Sequence, residues 1–395
     1  MSTSWNEWQW LTTDAGRAAL AELAESSEPV EKLVPRLRKR FSAAETHRLV
    51  EQADLRRRAG DKFTDASSWL FTPLGLEQST DEWVARYKAA RFPQGGPVVD
   101  LCCGIGGDLQ ALLRRGPTVG VDCDPLVAWL ARHNTGAETQ AAEASTWPVE
   151  QFRAWHIDPD RRPHAQRTTR VVDHEPGAEA IEALLARNES AAIKLAPAAE
   201  WPTDWDTRAE FEWISRRGQC RQLIAWFGDL ARQRGQRVAT LVDSSGQAAA
   251  RIVGPADISS TEEAVPIAPA AQRWLYEPDA AVIAARLVSA VAMQYGLARL
   301  QPQIAYLTGE TFVSSPALAA FEVLDEMAFD TERLVGWFRE HGGRCFEVKL
   351  RGVEVDPRRV MRELSPFRGE LRSVLLYPRG ERIMAVVARR TENVT

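Results

Sequence analysis

The chain has 395 residues, 54 acidic against 49 basic side chains, and a formal charge of −5. A hydrophobic fraction of 45% and a charged fraction of 26% exclude a low-complexity chain, and the length suits two or three domains with a sizeable core. The mild acidity excludes a uniformly basic nucleic-acid binder, though not a local basic patch. Met1–Trp10 is polar and aromatic, without the apolar centre of a signal peptide, and no apolar run is long enough to span a bilayer. Cys102, Cys103, Cys123, Cys220 and Cys345 lack metal-ligand spacing and fit reduced thiols, so a cytoplasmic protein without a metal is expected.

Residues 1–92 read as a helical domain. Asp14 is placed to cap a helix over 14–24, and apolar residues recur at helical spacing over Glu31–Phe41 and Ala43–Arg58. The polar faces carry Arg36, Arg38, Lys39, Arg40, Arg56, Arg57 and Arg58, which serve either as solvated helix faces or as a surface for phosphates. Ser79 or Thr80 is placed to cap a helix over Asp81–Ala90, and Pro93-Gln94-Gly95-Gly96-Pro97 breaks the chain before the first core strand.

A core of residues 93–250 follows. Val98-Val99-Asp100-Leu101 is a short apolar run with an acid near its end, Cys102-Cys103-Gly104-Ile105-Gly106-Gly107-Asp108 is a glycine-rich turn, and 109–115 is helix-like. Glycine lets a ligand approach bare backbone there. The glycine spacing departs from a dinucleotide fingerprint, and Asp100 would repel a pyrophosphate but receive a cation, which disfavours a nucleotide-dependent oxidoreductase. Thr118–Asp122 reads as a second strand, and Asp122 at its end suits a ribose diol, while Asp124 suits the cap of a helix over Leu126–His133. A third strand is expected over Gln140–Ser145 and a fourth ending at Ile157-Asp158-Pro159. Ala191–Pro197 is a fifth, in which Lys194 either snorkels or faces the site. Phe211–Ser215 and Cys220–Phe227 flank a turn and read as a hairpin.

Residues 251–325 are expected to form a connector and helical extension, with one helix over Ala280–Tyr295 capped by Asp279. Residues 326–395 alternate helix and strand: Thr331–His341, Cys345–Arg351, Asp356–Leu364, and a hairpin of Ser373–Tyr377 with Ile383–Ala388. Arg358, Arg359 and Arg362 make this part locally basic.

The Asp-x-Cys-x-Gly-x-Gly-Gly pattern of 100–107 resembles motif I of the class I S-adenosylmethionine (SAM) methyltransferases. With Leu76–Thr80, Asp158-Pro159-Asp160-Arg161-Arg162, Lys194-Leu195-Ala196-Pro197, Trp274–Asp279 and Lys349-Leu350-Arg351-Gly352, the chain resembles bacterial members with a C-terminal THUMP-like domain, distantly similar to trimethylguanosine synthase. The resemblance implies an α/β protein: a Rossmann-like core, an N-terminal helical domain and a small C-terminal α/β domain. It implies SAM as cofactor, held by Asp100, Cys102, Gly104, Gly106 and Asp122, with Glu143 at the adenine and Gln78 and Thr80 closing over it. The acceptor would meet Asp158 and Pro159, where amino-methylating relatives carry Asp/Asn-Pro-Pro-aromatic. Asp160 and Arg161 replace the second proline and the aromatic, which points to a different acceptor or to an anionic one held by Arg161 and Arg162. A THUMP-like domain implies RNA as partner. The rival from another class is an RNA-binding or scaffold protein that retains the fold without catalysis.

Overall fold

The computed structural model describes residues 5–26, 28–160, 168–257 and 264–391. The N-terminal region is helical: Trp5–Leu11, Asp14–Ala24, Val30–Leu37 and Ala43–Ala59. Local chemistry sets the helix starts. Thr13 caps the second helix through the Gly16 N–H, so Asp14 stands inside it, and Ser42 with Glu45 closes a capping box on the fourth. Trp8, Leu20, Leu23, Leu49 and Leu55 bury against one another and against Phe63, Trp69 and Phe71. The arginine-rich faces are largely satisfied within this region. Arg36 and Arg40 pair with Glu22, Arg57 and Arg58 with Asp54, and Arg56 donates to the Trp69 carbonyl.

Nine strands make the first sheet: β1 (Val98–Leu101), β2 (Thr118–Asp122), β3 (Glu138–Ala141), β4 (Ala154–Ile157), β5 (Ala191–Leu195), β6 (Glu210–Arg216), β7 (Gln219–Trp226), β8 (Gln236–Val242) and β9 (Ala248–Pro255). Their order is β3-β2-β1-β4-β5-β7-β6-β8-β9. β1 to β5 are parallel, and β1, β4 and β5 are buried throughout, which is why they read as short continuous apolar runs. β7 runs antiparallel both to β5 and to β6, to which it is joined by a hairpin turning through Arg217 and Gly218, both at positive φ. From β1 the chain passes to β2 and β3 on one side and to β4 on the other, so a crevice opens at the carboxyl ends of β1 and β4.

Two expectations here are corrected. The third strand lies at Glu138–Ala141 rather than 140–145, a mostly exposed edge whose apolar pattern is correspondingly weak. Neither Ser79 nor Thr80 caps the helix Glu82–Ala89; Asp81 does, through the Val84 N–H, and the Thr80 hydroxyl goes to Asp108.

The second sheet contains β10 (Trp274–Pro278), β11 (Ala298–Arg299), β12 (Leu307–Gly309), β13 (Leu318–Ala328), β14 (Arg344–Leu350), β15 (Leu371–Arg379) and β16 (Arg382–Thr391), in the order β11-β12-β10-β13-β16-β15-β14. The boundary expected at 325/326 falls inside β13, and β10 pairs with β13, so segments from both sides share one sheet. Asp279 caps a helix as expected, but that helix ends at Ala284 and a second runs Val288–Tyr295, separated at Arg286 with φ 60°. The helices Thr331–His341 and Pro357–Leu364 cover one face through Leu334, Phe338, Val360 and Leu364. No helix among the described residues is long and apolar enough to cross a membrane.

Three strands separate β10 from β14, yet Glu277 in β10 accepts from Lys349 Nζ at 2.6 Å and from Arg351 at 2.9 Å. The sheet therefore curls, enclosing Leu275, Tyr306, Phe321, Leu375 and Tyr377. One mostly buried carboxylate serving two cations makes Glu277→Ala expected to lower stability by about 1–2 kcal/mol, between the worth of surface and buried pairs. Urea unfolding checks this, and an unchanged midpoint would mean the clasp is neutral.

Candidate active site

The carboxyl ends of β1, β2 and β4 face a cleft of about 370 Å³. The turn after β1 reaches it by left-handed backbone at Cys102 (φ 53°), Gly104 (54°) and Gly106 (98°). The glycines serve different ends. A Cβ on Gly104 would meet nothing within 4 Å, so this residue leaves bare backbone facing open space. A Cβ on Gly106 would strike Thr135 Cγ2 at 2.6 Å, so Gly106 lets the helix Pro125–Thr135 pack close, and it is absent from the cleft lining.

Asp100 is 1% exposed, with Oδ1 at 2.7 Å from His156 Nδ1. Its Oδ2 is buried without a hydrogen-bond partner among the described residues, and so is His156 Nε2, which lies 3.9 Å from Asp108 Oδ2. Burial raises the Asp100 carboxyl above the ordinary carboxylate range, with His156 opposing. Burial also works to raise Asp108, but Lys88, His156 and Lys194 outweigh it and hold that group well below the range. Lys88 Nζ contacts Asp108 Oδ1 at 2.7 Å, and the Thr80 hydroxyl donates to Asp108 Oδ2 at 2.6 Å. Burial lowers Lys88 in turn.

Asp122 accepts the Gly104 N–H at 3.0 Å on Oδ2 and the Asp124 N–H at 3.1 Å on Oδ1, and it lines the cleft. Asp124 caps the helix Pro125–Thr135 as expected. At the far end, Asp158 Oδ2 accepts from Lys194 Nζ at 2.5 Å, which answers where Lys194 points. Pro159 is buried in the lining, and Asp160 and Glu175 exchange backbone hydrogen bonds of 2.8 and 2.9 Å beside it. Gln78, Thr80 and Cys102 line the cleft. Glu143 is exposed and absent from that lining, although its charge, after burial and Asp122, helps raise the Cys123 thiol. Arg161 and Arg162 lie outside the described residues.

The lining carries seven carboxylates (Asp100, Asp108, Asp122, Asp124, Asp158, Asp160 and Glu175) with His156, and no Lys or Arg among the described residues. Lys88 and Lys194 stand behind this lining and offset Asp108 and Asp158, and the acidic balance that is left favours a cationic ligand. Among the described residues no cluster of three or more His, Cys, Asp or Glu is placed to hold a metal ion. Sequence reasoning missed Lys88, Asp108 and His156. The signal was present: Lys88 falls on the buried side of a helix beside Val84 and Ala85, and His156 sits inside an apolar strand, where an ionisable group requires a partner.

Residues 4–59 match the family model described as a domain of unknown function, DUF8688. An uncharacterised S-adenosylmethionine-dependent methyltransferase of Mycobacterium tuberculosis (strain ATCC 25618 / H37Rv) is 35% identical over 331 residues, which cover 80% of this chain and 88% of the relative. Its counterpart in strain CDC 1551 / Oshkosh gives the same figures. A crystal structure of a provisionally named methyltransferase from Porphyromonas gingivalis W83 superposes with a TM-score of 0.75 at 18% identity, over 96% of this chain and 99% of that one. The two share a fold along nearly their whole lengths.

Proposed function

The chain belongs to the S-adenosylmethionine-dependent methyltransferases, and from that premise we propose that it methylates RNA, with SAM bound along the cleft and the acceptor beside Asp158. SAM is the cofactor of the family, and membership in an enzyme family leaves the non-catalytic scaffold reading without support. The observation that carries the placement is the buried, unpartnered Oδ2 of Asp100 in a lining free of Lys and Arg among the described residues. A ligand bearing an ammonium and a sulfonium suits that atom. Asp100 would hold the methionine end, the bare backbone at Gly104 would admit it, and Asp122 would hold the ribose diol through the lone pairs its two backbone donors leave. Gln78 and Thr80 would wall it in.

Bound SAM supplies a methyl group already activated by positive sulfur. What remains for the protein is placement and proton handling. Asp158 would accept a hydrogen bond from the acceptor N–H or O–H and would take up the proton the acceptor gives up when the methyl carbon leaves sulfur, as a neutral thioether, for the acceptor atom. Pro159 walls the acceptor end, and Arg161 and Arg162 stay the candidates for an anionic part of the acceptor. In this reading the parallel strands are a Rossmann-like class I core, and residues 326–395, with β14 to β16 and two helices, are a THUMP-like unit.

RNA as substrate rests on that C-terminal unit. Arg358, Arg359 and Arg362 stand exposed on one helix. Reversing all three to glutamate is expected to weaken binding to total cellular RNA and to cut the slope of log affinity against log salt by about 2–3, roughly one for each phosphate no longer neutralised. An unaltered slope would return these residues to ordinary surface. The substrate itself is tested by methyl transfer from labelled SAM into RNA, protein and small-molecule fractions of a cell extract. Label in RNA is the expected result, and label confined to the other fractions overturns it.

A further inference from the structure

Lys194 sits inside an otherwise apolar strand, β5, and is only 7% exposed. A buried ammonium persists only where oxygen atoms surround it. Here they come from two sides of the cleft. Nζ donates to Asp158 Oδ2 at 2.5 Å on the acceptor side and to the Gln78 carbonyl at 3.4 Å on the cofactor side. Gln78 ends the helix Pro73–Gln78, where carbonyls lack helical partners and attract cations. A second lysine takes the neighbouring ones: Lys62 Nζ donates to the carbonyls of Leu76, Glu77 and Ser79 at 2.7, 2.9 and 2.9 Å. Two lysines thus hold four successive carbonyls, 76 to 79. Burial and then the charge of Lys194 push Lys62 down to about 8, as befits two ammonium groups against one short stretch of chain. The next residue, Thr80, is tied to Asp108 of the glycine-rich turn. The wall over the cofactor cleft is therefore fixed at Thr80 by the turn, at 76 and 77 by Lys62, and at Gln78, between them, by a side chain that also donates to Asp158.

We infer that Lys194 is a positioning residue that sets the acceptor carboxylate Asp158 and the cofactor-side wall 76–80 together. The inference rests on the reading that Asp158 faces the acceptor. Charge or geometry altered at Asp158 reaches the wall through Lys194, and a wall displaced at Gln78 reaches Asp158 by the same route. Lys62 holds the wall but does not touch Asp158, so its loss slackens the wall without that link.

A double-mutant cycle tests this with SAM as the probe. SAM affinity by calorimetry and amide exchange of residues 76–80 are measured for the full-length chain, Asp158→Asn, Lys194→Met and the double variant. Lys194→Met is expected to weaken SAM binding about tenfold and to speed exchange of the wall amides, as for loss of a charge-assisted hydrogen bond. Asp158→Asn is expected to weaken SAM about threefold when Lys194 is present and not at all in the Lys194→Met background, the signature of coupled groups. Lys194→Arg, which keeps a cation over Asp158, is expected to restore affinity to within about threefold of the natural chain. Additive effects, or a Lys194→Met chain with unchanged affinity and exchange, would overturn the inference, because a residue that only packs lowers stability without coupling. Should the cycle be coupled while Asp158→Asn turns over normally, the positioning link stands and the acceptor reading alone fails.

Discussion

Replacing Asp100 by asparagine is expected to lower SAM affinity by at least about 100-fold, or nearly 3 kcal/mol, the scale for removing one partner of a buried ion pair. The substitution keeps the side-chain volume in β1 and leaves an oxygen for His156 Nδ1, so the fold has no reason to shift. What disappears is the negative charge at the buried Oδ2. Calorimetric titration with SAM is the measurement, and unchanged affinity would remove Asp100 from the cofactor site. The pH dependence adds a second signature. Burial holds the Asp100 carboxyl above its ordinary value in the free protein, so protonation favours the fold: this contribution to stability is present at low pH and lost as pH rises through the raised value. SAM, as a cation, needs the carboxylate. Its affinity should therefore fall as pH drops through that same raised value, above the range where an exposed aspartate would act. Asp100→Asn should lack that limb, and the difference between the two proteins isolates Asp100 from Asp108, whose lowered value acts in the opposite sense.

The parts of the site written in contiguous sequence were legible. A buried strand, a left-handed glycine turn and an Asp124 cap each arise from a few neighbouring residues, and the β6–β7 hairpin follows from Arg217 and Gly218 between two apolar runs. What sequence hid is proximity between distant segments. Nothing local distinguishes Gly106, which makes room for Thr135, from Gly104, which faces the cleft. Asp81 and Thr80 are both good cap residues, and only the presence of Asp108 decides between them. Trp274–Pro278 read only as the lead into the helix that Asp279 caps, because its place as β10 beside β13 and its clasp to Lys349 depend on residues forty or more positions away. Lys194 was visible as an anomaly in an apolar run, and its partner could be identified only once β4 and β5 lay side by side.

Asparagine at position 158 is expected to cut methyl transfer by about 100- to 1,000-fold at saturating SAM, the usual worth of a positioned general base, while SAM affinity stays within a few-fold. Asparagine rather than alanine is the informative choice. Alanine would strand the Lys194 ammonium in a buried site and destabilise the fold, whereas the asparagine oxygen still accepts from Lys194. The negative charge goes, and with it the capacity to take a proton. Turnover is measured by labelled-methyl transfer into the fraction that takes label with the natural chain. A loss confined to turnover makes Asp158 the proton acceptor. An equal loss in SAM affinity would instead mean that Asp158 acts on the cofactor side, through Lys194 and Gln78. Normal turnover would move the acceptor away from Asp158, and the carboxylates left in that end of the cleft are Asp160 and Glu175, held together by their paired backbones.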